Sequence, residues 1–171
     1  MKTFVCTLLL AVAASSAFGQ DAPTADAING VWKLDVDKSK NAMGAPESEV
    51  ITIVKEDGPY KLTFDVKKSN GYNSKYDIVT DMKGAIVKPV NADGRGTNDR
   101  WRVTRQGTKA FDMRLKNRLG EWTDKYEVSS DGKTMTLRRV PSPNNMVIAG
   151  PGPSLVPSGE PECLFVFDRV E

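Results

Sequence analysis

The sequence contains no histidine among its 171 residues. That excludes Ser-His-Asp and Cys-His catalysis, a histidine general base, and most catalytic zinc sites. Cysteine is nearly absent, with two residues, Cys6 and Cys163. Neither sign of charge is in excess: 24 Lys and Arg stand against 22 Asp and Glu. This balance argues against a nucleic-acid binder driven by bulk charge and against an acidic disordered tail. Gly-x-Ser-x-Gly, a P-loop and Gly-x-Gly-x-x-Gly on a βα turn are all missing, and Gly94-Arg95-Gly96 reads as a turn. Beyond the N-terminus no stretch approaches the roughly 18 apolar residues that span a bilayer, so no membrane-spanning segment is expected. Amphipathic helical spacing of useful length is missing too.

The one apolar run is at the start. Lys2 supplies a positive residue, Phe4 to Ala14 the apolar stretch, and Ala17-Phe18-Gly19 a small-x-small cleavage site. Residues 1–19 are therefore expected to be a cleaved secretory signal peptide, which implies a secreted or periplasmic protein. Cys6 lies near the start of the apolar run rather than at its end and does not suit a lipoprotein attachment site. The remaining chain of about 152 residues is the size of one domain. It would keep Cys163 alone, with no intramolecular disulfide, so stability must come from core burial. Cys163 itself reads as a small buried hydrophobe on a strand; an intermolecular disulfide or reactive thiol is the alternative. Residues 20–28 are small and polar and read as a flexible lead-in. Residues 29–171 read as a single domain.

Within that domain the dominant pattern is alternation of apolar and polar residues, the signature of half-buried strands. Tyr60, Leu62, Phe64 and Val66 share one face. So do Tyr76, Ile78, Thr80 and Met82; Trp101 and Val103; Phe111, Met113 and Leu115; Trp122, Tyr126 and Val128; and Met135 and Leu137. Turn residues separate the runs at Asp57-Gly58-Pro59, Ser69-Asn70-Gly71, Gln106-Gly107, Asn117 to Gly120 and Asp131-Gly132. With Gly30 to Val36, Ala85 to Val90 and Glu162 to Val170, about eight to ten strands are expected in an all-β antiparallel meander. One segment breaks the pattern. Pro141 to Pro161 carries six of the ten prolines, and proline cannot donate to a ladder. It is a long loop, either folded back on the surface or set over the mouth of a barrel.

A meander with one apolar face must cover it, and closing the sheet into an up-and-down barrel does so while removing its edges. Eight to ten strands enclose a space for side chains or one small ligand. Gly30-Val31-Trp32 resembles the Gly-x-Trp signature that opens lipocalins and their calycin relatives. That resemblance implies a Trp32 ring plugging the closed end and a late-strand arginine packed over it. Arg169 is the expected partner, ahead of Arg138 and Arg139, because the last strand closes on the first. The longer string from Gly30 to Lys40 and the patch from Ser130 to Thr136 resemble a bacterial family of secreted, lipocalin-like proteins of uncharacterised function. The Pro-rich insert departs from that family's pattern.

The candidate site follows from the faces. Asp124 shares a face with Trp122 and Tyr126, Arg105 with Trp101, and Arg139 with Leu137. Such charges inside a barrel must be paired or must hold a head group. Either these charges lie at strand ends, where they reach water at a rim or form a structural ion pair, or Arg105 and Arg139 take a carboxylate inside a cavity, with Tyr126 as hydrogen-bond partner. Trp101, Trp122, Tyr76, Phe64 and Phe111 would contact the apolar part of the ligand, or simply fill the core. Gly30, Trp32 and Arg169 close the barrel. Asp35, Asp37 and Lys38 match no calcium loop, and no metal or cofactor is expected. The function expected is non-catalytic binding of a small apolar or amphipathic, lipid-like molecule outside the cytoplasm. The alternatives are a filled barrel that meets a protein partner through the Pro-rich loop and last strand, which is apolar on both faces, and a barrel-based enzyme using a carboxylate pair.

Overall fold

The computed structural model describes residues 26–41, 46–55, 57–117, 120–141 and 163–170. Within them the chain forms eleven strands and no helix: β1 (Gly30–Asn41), β2 (Ser48–Lys55), β3 (Tyr60–Lys67), β4 (Asn73–Thr80), β5 (Lys83–Val87), β6 (Val90–Asn91), β7 (Arg100–Gln106), β8 (Ala110–Asn117), β9 (Gly120–Val128), β10 (Thr134–Pro141) and β11 (Cys163–Val170). The expected signal peptide, most of the lead-in and nearly all of the Pro-rich loop lie outside the described residues, as does the side chain of Cys163.

All strands belong to one antiparallel sheet in the order β5-β7-β8-β9-β10-β11-β1-β2-β3-β4-β6. Two meanders, β1–β4 and β7–β11, are fused where β11 pairs with β1, from Val31 opposite Val170 to Asp35 opposite Val166. The sheet curls because every strand turns its apolar alternate residues to the same side. Tyr76 on β4 and Trp101 on β7 stand near opposite ends of the strand order, yet their rings lie 6.1 Å apart across the interior. Lys61 pairs with Asp77 at 3.0 Å on the outer face, where water screens such contacts to small value.

The ladder is interrupted between β4 and β5. The turn explains why. Met82 sits at φ 57°, and its N–H donates to Thr80 Oγ1 at 3.0 Å. Arg105 N–H then takes the Met82 carbonyl at 2.9 Å, drawing the chain onto β7 rather than back along β4. Pro89, which has no N–H to give, separates β5 from β6. Thus the single strand expected over Ala85 to Val90 is two: β5 pairs with β7, and β6 returns to β4.

The filled part of the interior lies toward one end. Trp32, Ile51, Ile53, Leu62, Ile78, Val103, Met113, Met135 and Phe167 are fully buried there. Phe111 and Tyr126 stack face to face at 4.5 Å. This end is sealed by a clasp. The Arg169 guanidinium lies 4.6 Å from the Trp32 ring centroid and donates to the carbonyls of Ala27 at 2.7 Å and Asn29 at 2.9 Å. Trp32 Nε1 donates to the Ile28 carbonyl at 3.0 Å, and Ile28 is itself fully buried. Gly30 stands at φ 143°, where a side chain is strained, and a Cβ would sit 3.5 Å from Arg169 Nε. Residues 26–28, the described part of the expected lead-in, are instead tied into the seal.

A planar fork serves two carbonyls while lying flat on an indole; an ammonium does not. Arg169→Ala is expected to lower unfolding free energy by about 1–3 kcal/mol. Arg169→Lys should recover less than half of that. Urea unfolding followed by tryptophan emission measures both, and an alanine variant as stable as the parent would remove the clasp from the account.

Candidate ligand-binding site

At the end opposite the seal, the inward-facing residues behave differently. On β2, Ile53 and Ile51 are buried, but the next inward residue, Glu49, keeps part of its surface exposed. The same change runs from Leu62 and Phe64 to Val66 on β3, from Ile78 to Tyr76 on β4, from Tyr126 and Asp124 to Trp122 on β9, and from Met135 and Leu137 to Arg139 on β10. On these strands the inward face is thus less buried toward this end, around a cup-like mouth, whereas Trp101 on β7 and Leu115 on β8 stay buried there. Trp101, Leu115 and Trp122 form one row around its wall by strand register, and Pro141, the last residue of β10, continues that row. Both ends of the Pro-rich connection, Pro141 and Cys163, leave the sheet at this open end.

The cup contains a built polar group. Asp124 on β9 faces Arg139 on β10 in register. Arg139 Nε donates to Asp124 Oδ1 and Nη2 to Oδ2, both at 2.7 Å, a bidentate pair with the Asp124 side chain only 3% exposed. The guanidinium also lies over the Trp122 ring at 5.6 Å. Glu49, from β2, is partly buried and lies within electrostatic reach of both partners of this pair. Burial pushes its carboxyl up to about 7; Arg139 pulls it down and Asp124 pushes it up. Burial likewise raises the hydroxyl of Tyr76, with Glu49, Asp124 and Asp99 adding to the effect and Arg139 opposing it. Tyr126 is raised by burial and by the same two carboxylates, Asp124 and Glu49.

The residues expected to bind ligand therefore divide. Trp101, Trp122, Tyr76 and Arg139 line the open cup. Phe64 stacks under Tyr76 at 5.0 Å as part of the cup's floor. Phe111 and Tyr126 are packed against each other in the filled part. Arg105 does not meet Arg139. Strand β7 runs so that Trp101 is at the open end and Arg105 at the sealed end. There Arg105 donates to the carbonyl of Gly107 at 2.7 Å and pairs with Asp26, which also accepts from the Tyr60 hydroxyl. Burial alone would raise the Asp26 carboxyl, but these two hydrogen bonds outweigh it and hold the group below its ordinary value. Asp26 fell in the stretch read as loose, so nothing in the pattern marked it as a partner. The pairing of a carboxylate ligand by two arginines is thus replaced by an internal Asp124–Arg139 pair. Glu49 was not among the expected residues. The run Val50-Ile51-Thr52-Ile53-Val54 is apolar on both faces, which obscures the phase of the strand and hides that Glu49 points inward with Ile51.

Asp35, considered for a cation, instead accepts the backbone N–H groups of Asp37 and Lys38, each at 3.1 Å. It holds the irregularity in β1 between Asp35 and Lys40.

The chain matches no protein-family model and no curated protein. Among solved structures it is similar to the fluorescent protein UnaG, with a TM-score of 0.53 and 14% identity over 84% of this chain and 97% of that one. An engineered variant of UnaG gives 0.54 and 14% over 85% and 97%. The fold is a calycin-type β-barrel.

Glu49 has a measurable consequence. Below its ordinary value of 4.5 the group is protonated whether folded or unfolded. Between there and about 7 the folded chain holds a proton that the unfolded chain has lost, so stability falls as pH rises. Above that range the full cost of burying the charge is present. Glu49→Gln is expected to flatten this slope and to be more stable than the parent at pH 8 by about 1–3 kcal/mol. Urea midpoints of both proteins at pH 5 and pH 8 test it; parallel pH dependence would show that Glu49 is not held in this way.

Proposed function

We propose that this protein binds a small apolar or amphipathic molecule, without catalysis, in the open cup of its barrel. The supporting observation is the change in burial along the inward face, from fully buried side chains near the seal to partly exposed aromatic and charged ones at the rim. A barrel that served only as a solid scaffold would pack its inner face to both ends. Aromatic walls with a few fixed polar groups are the usual make-up of a small-molecule site. The fold is compatible with this role but does not by itself establish it.

The setting we propose is outside the cytoplasm, secreted or periplasmic, on the strength of the N-terminal basic and apolar stretch. We also propose kinship with the bacterial secreted lipocalin-like family, on the Gly30 to Lys40 and Ser130 to Thr136 patches. The clasp of Arg169 on Trp32 is compatible with that kinship.

Native mass spectrometry of the protein purified from its own compartment, followed by organic extraction, tests the binding role. A retained small molecule, or a saturable change in tryptophan emission on titration with hydrophobic probes, is expected. An apo mass together with unchanged emission for every probe would contradict it and direct attention to a protein partner.

A further inference from the structure

The rim carries hydrogen-bond donors that the protein leaves unused. Trp101 Nε1 and Trp122 Nε1 are buried and have no hydrogen-bond partner. Both belong to the same row of the inner wall, one on each side of Leu115. Trp101 is 7% exposed as a whole residue. A buried donor left without an acceptor is costly, and native proteins hold few of them. These indoles therefore await an acceptor from elsewhere.

The charges around them say which kind. Arg139 is the one cation on the inner face at this end among the described residues, and its fork is engaged by Asp124. Tyr76, whose ring approaches Trp101, lies in the field of three carboxylates, Glu49, Asp124 and Asp99, against that one guanidinium. Whether Glu49 carries its proton or not, the described residues of the cup hold no surplus positive charge. A carboxylate or phosphate head group would enter a neutral or negative field and would compete with Asp124 for the charge of Arg139. An ammonium head group suits the field but leaves both indole donors unanswered.

Resting on the binding reading above, we propose that the cup selects an uncharged ligand: an apolar molecule bearing a carbonyl or ether-type oxygen that accepts from the indole N–H groups of Trp101 and Trp122. The aromatic wall takes the apolar body, and the guanidinium of the internal ion pair lies over one of the two donor rings, that of Trp122.

Three probes of one chain length separate the possibilities at pH 8: methyl dodecanoate, dodecanoate and dodecylamine, with dodecylbenzene as a probe lacking an acceptor. Affinities come from tryptophan emission, checked by native mass spectrometry. The ester is expected to bind at least about ten-fold more tightly than the anion or the amine. Trp101→Phe and Trp122→Phe are each expected to weaken the ester about three- to ten-fold and to leave dodecylbenzene within about two-fold. The parent protein alone decides the head-group question if either variant does not fold. Tighter binding of the anion or the amine, or equal binding of ester and anion, would overturn the inference while leaving the binding role intact. Ester affinity untouched in both variants would do the same. Binding of none of the four would overturn the role itself.

Discussion

The pairing of β11 with β1 is the constraint from which the rest of the structure follows. Without it the chain is two open meanders, each with an uncovered apolar face and two unpaired edges. The seam joins them into one curled sheet, and Arg169, near the chain's end, locks it by lying on the Trp32 ring while holding the carbonyls of Ala27 and Asn29. This one contact links the first strand, the last strand and the segment before both. It also fixes polarity. With the indole and its guanidinium at one end, large side chains such as Phe167, Met135 and Phe111 fill the space above it. Toward the opposite end the inward residues of β2, β3, β4, β9 and β10 are only partly buried.

Filling one end and opening the other gives the barrel its chemical division of labour. Two ion pairs, each joining neighbouring elements, mark the two ends. At the seal, Arg105 binds Asp26 and ties the segment before β1 to β7. At the rim, Arg139 binds Asp124 within the β9–β10 ladder. The first is structural and lies among turns. The second stands inside the cup, where Asp124 is nearly buried and Arg139 is not, so the carboxylate is tolerable when paired and expensive alone. Its presence neutralises the guanidinium that a head group would otherwise seek, so among the described residues the mouth of this barrel holds donors and acceptors but no surplus of cations.

Most of the fold was legible because alternation is a direct consequence of strand geometry. Tyr60 to Val66 and Phe111 to Leu115 alternate cleanly and fold as written. Gly30, Trp32 and Arg169 were legible only through resemblance, since nothing in spacing says that residues 32 and 169 touch. The site was partly legible. Asp124 and Arg139 stood on inward faces, and register brings them opposite each other. Arg105 stood on an inward face too, but a face does not specify an end, and strand direction carries it away from Arg139. Glu49 was hidden by Val50 and Val54, exposed-face valines that blur the alternation around it. The break between β4 and β5 was not legible either, because it depends on a positive φ at Met82, a residue with no glycine-like signal.

The three tryptophans make the central claim directly measurable, since each carries one indole N–H in a different setting. Trp32 donates to Ile28 at the seal, while Trp101 and Trp122 lie unpartnered at the rim. Nitrogen–proton correlation spectra of the labelled protein, recorded through a titration with methyl dodecanoate, follow all three at once. The account predicts large shifts of the Trp101 and Trp122 indole signals and a Trp32 signal that stays in place. Three unmoved signals, or a shift confined to Trp32, would contradict a ligand-binding cup at the open end.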